Sequence, residues 1–181
     1  MTDELKNDLL KVARSAILNR FDGSPVILPK AEELLVKRGL FVTLYKQGKL
    51  RGCIGFIKGY KSILDSVVEM AQSAAFQDNR FSPVRAQEMP EIVIEISILS
   101  ELEPVDSISN IVIGKHGLLL QHPHGSGVFL PQVAFEWNWD LKTYLQELCR
   151  KAGLHSTAWK EKEAQLYSFT SEVFAEDDFL A

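Results

Sequence analysis

Four isoleucines at every second position, Ile92, Ile94, Ile96 and Ile98, constrain this chain more than any other feature. Successive side chains of a strand point to opposite faces, so this spacing predicts a strand over 91–100 with one wholly apolar face. Val93, Glu95, Ser97 and Leu99 make the other face, a mixed set suited to a half-exposed sheet. A strand of this kind needs partners, and the sequence offers them as hairpins. The β-rich run 39–46 is followed by a turn at Gln47-Gly48-Lys49 and a returning arm over 50–57. Two further strands over 117–122 and 127–130 are joined by Pro123-His124-Gly125-Ser126, and 165–174 alternates well enough for a last strand.

Helical periodicity falls between these hairpins. Leu5, Leu9, Val12, Ala13, Ala16 and Ile17 predict a helix over 2–21, stopped by Asp22-Gly23-Ser24-Pro25. A short polar helix is expected over 30–36. Ser62 and Asp65 have capping-box spacing at the head of a helix that runs to about Gln77. A proline-punctuated loop covers 78–90, the stretch 106–113 reads as either short helix or strand, and a third main helix covers 140–151 with Gly153 as its stop. The acidic stretch 175–181 is expected to fray. Hairpins with inserted helices, not strict alternation, predict α+β layers around a mostly antiparallel sheet.

At 181 residues the chain can bury a substantial core without disulfide or metal staples. Its 20 basic and 24 acidic side chains give a net charge of -4, which argues against nucleic acid and anionic membrane surfaces as partners. The charged N-terminal stretch does not read as a signal peptide, and no apolar run reaches the roughly 20 residues needed to span a bilayer. Cys53 and Cys149 are the only cysteines, and they read as free thiols of a cytoplasmic protein.

The segment Leu50-Arg51-Gly52-Cys53-Ile54-Gly55 is the main candidate for chemistry. Strand alternation would set Arg51, Cys53 and Gly55 on one side and Leu50, Gly52 and Ile54 on the other. The Arg51 guanidinium would then favour the Cys53 thiolate, and Gly52 and Gly55 would leave the sulfur unshielded. The competing reading is a cysteine that packs as a small hydrophobe; Cys149, beside Leu145 and Leu148, is read that way. His116 is a candidate base for Cys53. Asp78 and Arg80 open the proline loop, where Arg80 would grip a carboxylate or phosphate, or would pair with Asp78 to fix the loop. The spacing of His116, His122 and His124 does not match a structural zinc site, and turn histidines open to solvent are expected instead. Phe135, Trp137 and Trp139 are expected to pack inward.

The cysteine segment resembles the signature of the AMMECR family, and further matches follow in order at Asp78-Asn79-Arg80-Phe81-Ser82-Pro83, His116-Gly117-Leu118, Leu130-Pro131-Gln132-Val133-Ala134, Trp139-Asp140 and Lys151-Ala152-Gly153-Leu154. The family often has Asp-Pro or Asp-Ser where this chain has Asp78-Asn79. The resemblance covers about 5–174 and is similar to the short stand-alone form of the AmmeMemoRadiSam system. It implies one domain over 1–181 with a larger α+β lobe, a smaller lobe and a cleft near the cysteine motif. It also implies the company of a Memo-like protein and a radical S-adenosylmethionine protein, and it names no reaction, substrate or cofactor. Two functions follow as alternatives: an enzyme or enzyme-complex subunit with a reactive cysteine, and a non-catalytic binding or adapter domain.

Overall fold

In the computed structural model, which describes residues 1–179, the isoleucine strand is β3 (Ile92–Leu99), and it lies inside a four-stranded sheet. Its neighbours are β1 (Leu40–Lys46), β2 (Lys49–Phe56) and β8 (Ser171–Ala175), in the order β2-β1-β3-β8. β1 runs antiparallel to both β2 and β3. Gln47 and Gly48 both take positive φ, 52° and 71°, the conformation that a two-residue hairpin turn requires. Two helices cover one face of this sheet, α1 (Asp3–Asp22) against β3 and α2 (Ile63–Phe76) against β1 and β2. Leu40, Val42, Leu44, Ile92, Ile94, Ile96 and Ile98 point into that core.

Side chains at the helix ends account for where the helices begin. Thr2 Oγ1 accepts the Leu5 N–H, and Gly23 ends α1 in the left-handed conformation. Ser62 Oγ accepts the Asp65 N–H at 3.1 Å and donates to the Asp65 carboxylate at 2.7 Å. The mixed face of β3 departs from the half-exposed expectation: Ser97 and Leu99 are 2% and 1% exposed. Residues 176–179 form a 3-10 turn. Glu176 accepts both Arg14 Nε and Arg14 Nη2 at 2.5 Å and the Ile94 N–H at 2.8 Å. Residues 180 and 181 lie outside the described part of the chain.

A second compact unit, Ser100–Ser171, is inserted between β3 and β8; the first comprises Met1–Leu99 and the chain from Glu172 onward. The second unit has its own sheet of β4 (Glu103–Pro104), β5 (Gly117–His122), β6 (Gly125–Phe129) and β7 (Gln165–Phe169), ordered β4-β7-β5-β6 and antiparallel throughout. α3 (Pro131–Glu136) and α4 (Leu141–Lys151) pack on it around Leu118, Leu120, Tyr144, Leu145 and Leu148. Cys149 is fully buried in this core, as its spacing predicts. Asp140 caps α4 by accepting the Thr143 N–H at 2.7 Å, and Gly153 ends it with φ 74°.

One expectation is corrected, and two stretches left open or unassigned take a definite form. The single strand over 165–174 is two strands in different sheets, split at Thr170. The Thr170 N–H bonds Ser100 Oγ and its carbonyl accepts the Ser100 N–H, so neither is free to continue a ladder. Residues 131–136 are helical, with proline at the first helical position. Residues 108–110 form only a single 3-10 turn. No helix among the described residues is long and apolar enough to cross a membrane.

Candidate functional site

A β-bulge decides where Cys53 points. Tyr45 pairs with Leu50 but Leu44 pairs with Gly52, which leaves Arg51 as an extra residue in β2. Beyond the bulge, Gly52 and Ile54 join the face covered by α2, and Cys53 stands on the opposite face in register with Thr43 and Glu95. Thr43 Oγ1 donates to Cys53 Sγ at 3.3 Å. Thr43 itself is 7% exposed, and Cys53 is half-buried.

β2 is an edge strand, and at Cys53 its outer backbone groups are taken by the residues just past α2. The Cys53 N–H donates to Asp78 Oδ2 at 2.9 Å, and Arg80 Nη2 donates to the Cys53 carbonyl at 3.2 Å. Asp78 and Arg80 stand in for a neighbouring strand, which blunts an edge that would otherwise pair with another chain. They also bind each other, Arg80 Nε to Asp78 Oδ1 at 2.9 Å and Nη2 to Oδ2 at 2.6 Å. The Asp78 side chain is 3% exposed and that of Arg80 is 53% exposed. A buried carboxylate therefore holds a guanidinium that reaches water and lies over the Phe81 ring, 5.4 Å from its centroid.

The Arg80 guanidinium, with the Cys53 and Arg80 N–H groups, holds Asp78 far below the usual carboxylate range despite its burial. The thiol shifts the other way. Burial pushes Cys53 above the ordinary thiol value, and the Asp78 and Glu95 charges add to that. The Thr43 hydroxyl and the Arg80 charge oppose the shift without reversing it. The balance favours the Cys53 thiol over its thiolate.

This corrects the expected role of Arg51. At the bulge its Nε and Nη2 both donate to Glu88, each at 3.1 Å, and the cation that acts on the thiol is Arg80. Arg51 in turn holds Glu88 down to about 2. The two glycines do not clear a path to the sulfur. A Cβ added at Gly52 would lie 2.2 Å from the Ala74 carbonyl oxygen, so Gly52 is what lets α2 approach β2 so closely. Gly55 lies against the Phe41 ring, whose atoms would be 2.4 Å from an added Cβ.

His116 belongs to the second unit, where its Nδ1 accepts the Val112 N–H at 3.1 Å. That bond occupies the lone pair a neutral imidazole would use as a base, so the geometry does not favour the expected base role. His122 is not open to solvent: its side chain is 5% exposed, Nδ1 accepts the His124 N–H, and Nε2 faces Glu161 Oε2 at 3.0 Å. Among the described residues no three His, Cys, Asp or Glu side chains are placed to hold a metal ion. Phe135 and Trp137 are 72% and 69% exposed, against the expectation that they pack inward, while Trp139 stacks on Trp137 and joins the core edge.

Sequence reasoning missed Thr43, Glu88 and Glu95. Thr43 had a readable signal, since it is the one polar residue in the run Leu40–Lys46 before the closing lysine. Glu88 and Glu95 gave none that pointed to this site.

Known proteins agree with this architecture. The chain is 40% identical to a protein of Methanothermobacter thermautotrophicus over 93% of each chain. It is also 40% identical to Protein MK0488 of Methanopyrus kandleri over 94% of this chain and 87% of that one. The crystal structure of the uncharacterized protein PH0010 from Pyrococcus horikoshii matches it with a TM-score of 0.88 at 35% identity, covering 98% of this chain and 94% of that one. The AMMECR1 family model matches residues 10–174, nearly the whole of both units, and the chain belongs to the AMMECR1 family.

Proposed function

We propose that this domain recognises an acidic group on a partner protein through Arg80, and that the partners are the Memo-like and radical S-adenosylmethionine proteins of the AmmeMemoRadiSam system. The observation that carries the recognition role is the half-exposed Arg80 guanidinium locked in place by a nearly buried Asp78. Its bonds to Asp78 and to the Cys53 carbonyl use Nε and Nη2, which leaves the Nη1 edge for carboxylate or phosphate oxygens. A donor fixed in advance loses little side-chain freedom on binding. The choice of partners rests on the family resemblance alone.

A second reading, an enzyme or enzyme-complex subunit working through Cys53, draws on the Thr43 hydroxyl and the Arg80 charge, both of which favour the thiolate. Burial of the sulfur weighs against it. Calorimetric titration of the Memo-like partner into the wild-type chain, Arg80→Lys and Cys53→Ser separates the two. Recognition through Arg80 predicts at least a tenfold loss for Arg80→Lys, about 1.4 kcal/mol, and under a twofold change for Cys53→Ser. The opposite pattern, or no binding by the wild-type chain, overturns the proposal.

A further inference from the structure

The second unit contains a cavity of its own. It opens between the first turns of α4 and the short turn Ala158–Lys160, and its volume is about 350 Å3. Small-molecule sites span about 300–1,000 Å3, so this one accepts a small ligand and excludes a large cofactor. Leu141, Leu145 and Trp159 form an apolar floor, of which Leu145 is fully buried. Lys142 and Lys160 stand on the rim, and no carboxylate lines the cavity.

Charge and shape together define what fits. Neither rim lysine enters a salt bridge within the described residues. Lys160 Nζ lies over the ring of Trp159, 5.1 Å from its centroid, so the aromatic wall and one cation form a single surface. Asp140, outside the lining, caps α4 by accepting the Thr143 N–H and shares the field of Lys142, while the lining places no such acid beside Lys160. An apolar floor beside two cations, with no carboxylate in its lining, suits a molecule with an apolar body and one negative end. We propose that this cavity binds a small amphiphilic anion, an aryl or medium-chain carboxylate, with its body on Trp159 and Leu145 and its carboxylate between Lys142 and Lys160. The site is independent of Arg80, and the two proposals fail separately.

The probe is 2-naphthoate, with 2-naphthalenemethanol as its neutral match, titrated into the full chain and followed by the Trp159 indole resonance. Naphthoate is expected to saturate with a millimolar or lower dissociation constant, bind at least tenfold more tightly than the alcohol, and shift Trp159 most. Lys142 and Lys160 are both exposed, so the double variant Lys142→Gln/Lys160→Gln is expected to fold normally. It should lose at least tenfold in naphthoate affinity and under twofold in alcohol affinity. Equal binding of acid and alcohol, an unchanged double variant, shifts centred away from Trp159, or no saturation at 10 mM each overturn the proposal.

Discussion

Replacing Gly52 by alanine tests how the cysteine site is held together. An added Cβ would lie 2.2 Å from the Ala74 carbonyl oxygen and 3.1 Å from its carbon, where ordinary contact begins near 3.4 Å. The obstacle is the backbone of α2, which no rotamer change can move. Relief requires α2 and β2 to part by about 1 Å, and overpacking of this kind costs about 1–3 kcal/mol. In a domain of this size each kcal/mol moves Tm by about 2–4 °C, so Gly52→Ala is expected to melt roughly 2–12 °C lower. Asp78 lies two residues beyond the end of α2, so the same displacement stretches the 2.9 Å bond from the Cys53 N–H to Asp78 Oδ2. Hydrogen exchange at the Cys53 amide should therefore accelerate more than exchange in β3. The reasoning is refuted if Tm stays within 1 °C of wild type and Cys53 protection is unchanged.

Two further predictions concern charge. In a Cys149→Ala background, iodoacetamide should alkylate Cys53 more slowly at pH 7.5 than a free thiol of pKa about 8.5, with the rate still climbing at pH 9. A midpoint below pH 8 would restore the nucleophile reading. Because the folded thiol is raised, the stability it contributes is present below the unfolded value and is lost as pH rises past it, a decline that Cys53→Ser should lack. Glu88, held down to about 2 by Arg51, contributes stability that is present above the ordinary glutamate value and disappears as pH falls toward 2. Glu88→Gln should cost about 1–3 kcal/mol at pH 7 and flatten acid unfolding followed by circular dichroism. An unchanged acid transition would show that the pair is stabilising nothing.

Much of the architecture was legible because it follows from local rules. Ile92, Ile94, Ile96 and Ile98 do face the helices, and the capping box at Ser62 and Asp65 marks where α2 begins. The cysteine site was less legible, and the bulge explains why. Counted back from the Lys46–Lys49 pair, an unbroken hairpin sets Cys53 opposite Val42, under the helices. The extra residue at Arg51 moves it opposite Thr43, on the other face. Nothing in the local sequence separates an arginine in a bulge from one in a regular ladder, because its partner Glu88 is 37 residues away. Trp137 and Phe135 misled for a related reason: aromatic composition favours burial, but their exposure is fixed by how α3 packs on β5. Asp78 and Arg80 were singled out correctly as a pair, though their hold on the backbone of an edge strand was visible only once β2 had a place in the sheet.

The insertion of the second unit sets an order of events during synthesis. Arg14 emerges early, but the carboxylate that clips it, Glu176, is 162 residues further on. At about 5–20 residues per second, roughly 8–32 s separate the two. During that interval the second unit is itself being made; its last strand, β7, is separated from β8 by Thr170 alone, so the sheet of the first unit lacks β8 until the whole insertion has been synthesised. The first unit therefore holds β1, β2 and β3 without their fourth strand while the insertion is made, with Ile94 still without the carboxylate that its N–H will bond. Arrival of β8 ends this wait, so any chaperone dependence should centre on the first 99 residues and not on the insertion that follows them.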